Sequence, residues 1–322
     1  MNHLKFGRAK FTCLFFLFVV MAPVRADEFG VSFFYCYGNM QNLYIEGRVT
    51  EIRESSVATE NDGWMINIWR KLRQLINDER EGENVTLSIY QQVFQTKTGE
   101  EGFFHLVLPT PESIVTGSYT ATATIRQGKN AQCELTIVPP ENNVGIISDF
   151  DDTVIVTEVL DKQQAALNTL TLNYKQRHAV DGMAIWYKDI IESNPKPDQA
   201  ALFFVTGSPK QLQLGINQFL DYHQFPKRTI ITKKINGDET DPLFDQVQYK
   251  QQKIEHLLGL YPNTTFILFG DDGEKDPEVY HDIYTRYPNQ IKDIWIRKVA
   301  DESTRARYPA QHLFSIAPAA VH

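Results

Sequence analysis

From Asp27 to about Pro140 apolar and polar positions alternate. In "NLYIEGRV" Leu43, Ile45 and Val49 fall in phase, in "VTLSI" Val85, Leu87 and Ile89, in "YTATATI" Tyr119, Ala121, Ala123 and Ile125, and in "CELTI" Cys133, Leu135 and Ile137. A period of two puts every second side chain on one face of an extended chain, so these segments predict half-buried strands. "KTGEEGF", Lys97 to Phe103, reads as a turn between two of them. One segment departs from alternation: in "WMINIWRKLRQLI" Met65, Ile68, Trp69, Leu72, Leu75 and Ile76 share a face at the helical period. The pattern predicts a small mostly-β sandwich with a helical insertion.

"VPPENN", Val138 to Asn143, reads as a linker, and the texture changes after it. Short continuous apolar runs ("VGIIS", "ALFFV", "TIIT", "TFILF", "DIWI") alternate with helical stretches near Gly182–Glu192, Pro209–Tyr222, Gln246–Leu260 and Pro277–Tyr287. Strands apolar on both faces, separated by helices, predict an α/β domain: a Rossmann-like parallel sheet with helices on both faces. Ligands of such sheets bind beyond the carboxyl ends of the strands. The expected organisation is a leader over residues 1–26, a sandwich-like domain over 27–140 and the α/β domain over 141–322.

The leader rests on its own pattern. Lys5, Arg8 and Lys10 precede an apolar run, Phe11 to Met21, too short to span a bilayer comfortably, and Val24 and Ala26 suit a cleavage site before Asp27. An exported protein, periplasmic or secreted, is expected; an uncleaved anchor is the alternative. Cys36 and Cys133 then remain, either joined as a disulfide in an oxidising compartment or left as two small thiols. With 32 basic and 40 acidic side chains the chain carries a net charge of -8, which argues against a nucleic-acid partner bound on a broad basic face.

Acidic residues concentrate where the apolar strands end. In "VGIISDFDDTVIV" Asp149 and Asp151 follow the first apolar run of the second half. Side chains two residues apart in extended chain point the same way, so both can face one ligand, while Asp152 serves the turn. Clustered carboxylates repel, and a divalent cation compensates them; Mg²⁺ takes one or two carboxylates together with waters and substrate phosphate. A calcium loop starting at Asp149 would need Gly and Glu where the chain has Val154 and Leu160. A second acidic group, Asp271, Asp272 and Asp276 in "ILFGDDGEKDPE", also follows an apolar run. Taken singly, Asp276 reads foremost as a helix cap. Thr206, Gly207 and Ser208 in "FFVTGSP" suit an anion before a helix, although Ser208 with Pro209 is also an ordinary helix start. Lys250 and Lys253, on the helix leading to Asp271, are equal candidates for a phosphate-binding cation on spacing alone.

The order Asp149-x-Asp151-x-Thr153, then Thr206, Lys250 and Gly270-Asp271-Asp272, resembles the haloacid dehalogenase superfamily of phosphatases over about Val144 to Val299. A closer resemblance, over nearly the whole chain after residue 26, is to the actin-patch-protein type of Mg²⁺-dependent phosphatidate phosphatase. It is carried by "IISDFDDTV", "AVDGMAIWY", "FFVTGSPKQL", "YKQQKIEHLL" and "ILFGDDGEKDPEVY", with "YGNMQNLYIEGRV", "WRKLRQLINDE" and "TGEEGFFHLVL" in the first half. That family more often shows Ser-Asn-Ser-Pro-Trp where this chain has Thr206 to Lys210, His where it has Tyr249, and Ser where it has Asp272. The resemblance implies a haloacid-dehalogenase-like fold for the second half and Asp149 as a nucleophile forming an aspartyl-phosphate. It implies Asp151 as general acid and base, and Mg²⁺ held by Asp149, Asp271 and the backbone carbonyl of Asp151. Thr153, Thr206, Gly207 and Lys250 would bind phosphate, supported by Asp272 and Asp276. The expected substrate is phosphatidate. A soluble phosphomonoester or phosphoprotein is the alternative, as is a non-catalytic phospholipid-binding module, against which Asp151 weighs because binding alone needs no acid there. Lys227, Arg228, Lys233 and Lys234 could meet a membrane surface or be ordinary solvated charges. Tyr37 and His105 read as packing and surface residues.

Overall fold

A computed structural model describes residues 28–52, 57–63, 65–67, 70, 78–156, 172–233, 246–299 and 308–315. The leader, Lys234 and most of the expected insertion helix lie outside the described residues; of that helix, residues 65–67 and 70 are helical.

The first half supplies seven strands: β1 (Phe29–Gly38), β2 (Asn42–Glu51), β3 (Asn84–Ile89), β4 (Gln92–Lys97), β5 (Phe103–Pro109), β6 (Gly117–Ile125) and β7 (Ala131–Ile137). The alternating residues define one buried face, with Leu43, Ile45, Val49, Val85, Leu87, Ile89, Ala121, Ala123, Leu135 and Ile137 inside. The expected sandwich is corrected here. All seven strands form one sheet in the order β4-β3-β6-β7-β1-β2-β5, antiparallel except where β1 runs parallel to β7. Its edge strands β4 and β5 come together, so the sheet curls into a nearly closed barrel. Alternation specifies that one face is buried; it is silent on whether that face packs on a second sheet or on itself.

The second half forms a parallel sheet from β8 (Val144–Ser148), β9 (Leu202–Pro209), β10 (Thr229–Lys233), β11 (Thr265–Asp271), β12 (Ile291–Arg297) and β13 (Gln311–Phe314), in the order β10-β9-β8-β11-β12-β13. Helices α1 (Met183–Glu192), α2 (Gln213–Tyr222), α3 (Gln246–Leu260) and α4 (Asp276–Arg286) pack against it. The expected Rossmann-like, haloacid-dehalogenase-like fold class is nevertheless corrected. Strands account for 40% of the structure, the larger sheet is the mixed barrel, and helices are few. One face of the parallel sheet is shared with the barrel: Tyr37 of β1 stacks on Tyr44 of β2 and meets Phe203 edge-on at 5.7 Å, inside the cluster formed by α3 and α4. Counting apolar runs identifies the strands; it cannot show which element covers each face.

Cys36 and Cys133 are free thiols, the first buried and the second half-buried. His105 lies on the surface, as expected.

The two sheets are joined beside the carboxyl end of β9. There Lys210 is buried and ion-paired with Glu46 of β2, and its ammonium lies 5.4 Å from the ring centroids of both Phe34 and Phe103. Gln213 donates to the Phe34 carbonyl and accepts from Thr232 Oγ1 at 2.8 Å. A buried charge left alone is far costlier than an apolar replacement of the pair. Glu46→Ala is therefore expected to lower stability by about 3–5 kcal/mol, and Glu46→Leu combined with Lys210→Met to recover most of that loss. Urea unfolding of the three proteins checks it.

Candidate active site

The order of the parallel sheet sets the site. β8 lies between β9 and β11, with Ser148 level with Phe204 on one side and Phe269 on the other. The residues just beyond these pairings are Asp149, Thr206 and Asp271, so three distant segments meet at one rim. All three are buried. The Asp149 amide is held by the Phe269 carbonyl at 2.8 Å, which fixes the chain as it leaves β8.

One oxygen of each of Asp149, Asp271 and Asp276 lies within 4.8 Å of the others. Among them stands the Lys250 ammonium, 3.0 Å from Asp149 Oδ1, 2.5 Å from Asp276 Oδ1 and 3.1 Å from Glu274 Oε2. Helical phase separates Lys250 from Lys253, whose ammonium lies 5.8 Å from the Tyr249 ring. Asp271 Oδ1 accepts from the Gly273 amide at 2.7 Å and the Glu274 amide at 3.1 Å, so it organises the loop before α4. Asp276, the first residue of α4, accepts from the Asp271 amide through Oδ2 at 3.3 Å. Among the described residues, Asp149 Oδ2, Asp271 Oδ2 and the Thr153 hydroxyl are buried without a hydrogen-bond partner.

Burial raises the pKa of Asp149 well above the ordinary carboxylate value; Lys250 works against this and the neighbouring carboxylates add to it. Asp271 and Asp276 are raised for the same reasons. Burial alone would lower Lys250, but Asp149, Asp276 and Glu274 hold its pKa well above the usual value. Three buried carboxylates, each with an oxygen within 4.8 Å of the others, are a donor set suited to a hard divalent cation.

Asp151 faces another way. Its Oδ2 accepts from Ser208 Oγ at 2.8 Å and lies 3.3 Å from Thr206 Oγ1, and burial raises its pKa.

Residues 144–298 match the family model described as "Phosphatidate phosphatase APP1, catalytic domain". The match covers a little under half of the chain. Over 155 residues the chain is 31% identical to phosphatidate phosphatase APP1 of Saccharomyces cerevisiae, covering 48% of this chain and 26% of the yeast protein. Over 217 residues it is 24% identical to an uncharacterized Schizosaccharomyces pombe protein, covering 65% of this chain and 35% of that one. The chain thus spans about a quarter to a third of these relatives. Among solved structures, a carbohydrate acetylesterase from Xanthomonas citri aligns over 82% of this chain and 66% of its own length, at 8% identity and a TM-score of 0.28, too low to inform the fold.

Within this APP1-type segment the structure brings Asp149, Asp271 and Lys250 together. Asp276, expected in a supporting place, joins the carboxylate group itself. Asp272 is also buried but is tied to the neighbouring strand end: its Oδ1 accepts from the Val299 amide at 2.6 Å, and its amide donates to the Arg297 carbonyl. Asp152 sits in the turn at a φ of 55°, its carbonyl accepting from Arg297 at 2.5 Å. Gly207 lies half-buried between Thr206 and Ser208. The expected helix start at Pro209 is displaced: β9 runs through Pro209, a 3-10 turn spans Lys210–Leu212, and α2 begins at Gln213. Sequence reasoning missed Glu274, although it lies between the chosen acids in "GDDGEKDPE", and read Ser208 as part of an anion site or as a helix start, not as a partner of Asp151. It also missed Arg177, which lines one cavity with Asp151 and whose pKa, lowered by burial, is partly held up by Asp151 and Asp152; no local pattern marks it.

Gly270 gives the carboxylates their spacing. A Cβ there would stand 2.6 Å from Asp276 Cβ and Oδ2 and 2.7 Å from the Tyr280 ring. Gly270→Ala is expected to displace Asp276, destabilise the protein by about 1–3 kcal/mol and weaken divalent-cation binding at least tenfold, read by urea unfolding and by calorimetric titration with Mg²⁺.

Proposed function

We propose that the chain is a Mg²⁺-dependent phosphatase that cleaves a phosphate monoester through an aspartyl-phosphate, with phosphatidate as substrate and diacylglycerol as product. The observation that carries this reading is the Asp149 carboxylate: one oxygen is steadied by Lys250, the other is buried with no hydrogen-bond partner among the described residues, and the carboxylate groups with those of Asp271 and Asp276. The APP1-type match over the same residues supports the substrate class.

Each group has a distinct task. Asp149 Oδ2 attacks phosphorus while the bond to the ester oxygen breaks. Asp151, whose raised pKa favours the protonated form, delivers its proton to the departing alkoxide. Water then attacks phosphorus, gives a proton to Asp151 and frees Asp149 with release of inorganic phosphate, so one difficult step becomes two easier ones. Ser208 and Thr206 hold the Asp151 carboxyl in place. Lys250, Thr153, Thr206 and the Gly207 backbone are assigned to the non-reacting phosphate oxygens. Mg²⁺, held by Asp149, Asp271 and the Asp151 carbonyl with Asp276 beside them, would neutralise charge on the phosphoryl oxygens. On this reading the chain is exported, as its first residues suggest, and meets its lipid at a membrane surface.

Asp149→Asn removes the nucleophile at constant shape. Phosphate release is expected to fall at least about 10³-fold, the scale of losing a catalytic nucleophile, while the far-ultraviolet circular dichroism is retained. Activity at the wild-type level in that variant would rule out the covalent route. Chelation with EDTA should abolish turnover and added Mg²⁺ restore it. Phosphatidate vesicles should be preferred over sugar phosphates, nucleotides and phosphoproteins in the same assay. Preference for the soluble esters would reassign the substrate, and vesicle binding with no Mg²⁺-dependent release would replace the enzyme with a lipid-binding module.

A further inference from the structure

We infer that the cavity beside Asp151 is the subsite for the leaving group, and that the N-terminal half of the chain builds one of its walls. This rests on the phosphatase reading above and locates a part of that site which the metal and phosphate residues do not define.

In an in-line displacement the attacking and leaving oxygens lie on opposite sides of phosphorus. A general acid must reach the leaving oxygen. Asp149 and the metal-binding carboxylates are packed on one side of the rim, so the leaving group belongs on the Asp151 side. A cavity of about 70 Å³ opens there, lined by Asp151 and Ser208 at its polar end and by Phe150, Ile216 and Phe219 along its apolar wall. Its volume is several times the ~10–15 Å³ that one water needs. It has room for the atoms next to the scissile oxygen and not for a whole acyl chain, so the remainder of a lipid stays outside.

The opposite wall comes from the excursion between β2 and β3. Asn67 and Arg70 line the cavity. The excursion is tied to the segment that follows residue 171: Asn67 Nδ2 donates to Gln176 Oε1 at 2.8 Å, Asn173 Nδ2 to the Thr59 carbonyl at 2.8 Å, and Gln176 Nε2 to the Asp62 carbonyl at 2.9 Å. Arg70 is held by Asp62 at 3.0 Å. The wall is therefore built, not merely adjacent.

Arg177 supplies the specificity. It lines the same cavity as Asp151, and its guanidinium donates no hydrogen bond to a described residue. A planar fork of donors at the polar end of an apolar cavity suits an acceptor oxygen two or three bonds from the phosphate. The ligand class is a phosphate monoester whose leaving group carries an ester or ether oxygen on a short apolar stem, as the glyceryl end of a diacyl phosphate does.

Gly215 makes the test clean. It lines the cavity from within α2, and a Cβ at this position meets no atom within 4 Å. Leucine is favoured over glycine inside a helix, so Gly215→Leu fills the cavity without a cost to the fold. The ratio of kcat/KM for dihexanoyl phosphatidate to that for acetyl phosphate is expected to fall at least tenfold in Gly215→Leu. Arg177→Met should lower it in the same direction, mainly through KM for the lipid. A ratio unchanged in both variants overturns the subsite and leaves the phosphatase reading standing. Calorimetric titration of dihexanoyl phosphatidate into Asp149→Asn, with and without Gly215→Leu, reads the cavity without turnover. Binding weakened at least tenfold supports the subsite even if the wild type released phosphate from neither ester, a result that would sink the phosphatase reading alone. Equal binding overturns the subsite.

Discussion

The ammonium of Lys250 is buried, and so are the carboxylates of Asp149 and Asp276 that touch it. Each charge carries a desolvation penalty of several kcal/mol, tolerable only because the opposite charge is within contact distance. The balance is incomplete. One cation faces Asp149, Asp276 and Glu274 directly, with Asp271 close by, and two carboxylate oxygens have no partner. The surplus is met by raised carboxylate pKa values or by a second cation. The same imbalance that strains the fold makes the rim receptive to a metal and to the phosphate it would accompany.

The rest of the architecture serves to hold that imbalance in place. β8 at the centre of the parallel sheet delivers Asp149 between the ends of β9 and β11, and the loop into α4 returns Asp276 to the same point. The barrel braces this rim from outside. Glu46 reaches across to Lys210 just past the Thr206–Ser208 stretch, and Gln213 bonds to the backbone of β1. The excursion from the barrel is bonded to the segment carrying Arg177. The first half is therefore part of the machinery's support, although its own strands carry none of the acidic cluster.

Much of this is written locally. Alternation located four of the seven barrel strands, β2, β3, β6 and β7, and their inward residues, because a strand's two faces are set by its own pleat. Apolar runs located β8, β9 and β11, and helix α3 begins and ends where its pattern does. Acidic residues behind those runs marked Asp149, Asp151 and Asp271. What failed were statements about what meets what. A sandwich and a nearly closed barrel share one alternation, and the doubly wound reading overlooked how much of the structure is strand and how the barrel occupies part of one face. Lys250 and Lys253 are equivalent by spacing and distinct only once α3 is packed. Asp276 reads as a cap in isolation, and it does start a helix, yet it also completes the carboxylate group.

By itself the sequence determined most of the strands and helices, the apolar faces of those it marked, and which strand ends bear carboxylates. Each of these follows from a residue and its near neighbours along the chain. Tertiary structure alone decided that the barrel nearly closes on itself, that Glu274 and Asp276 join Asp149 around one lysine, and that Arg177 and Asp151 line one cavity. These depend on distances between segments far apart in sequence, set by sheet order, helix phase and the curl of a sheet. No local pattern encodes those distances, because many chains with the same pattern could satisfy it in another arrangement.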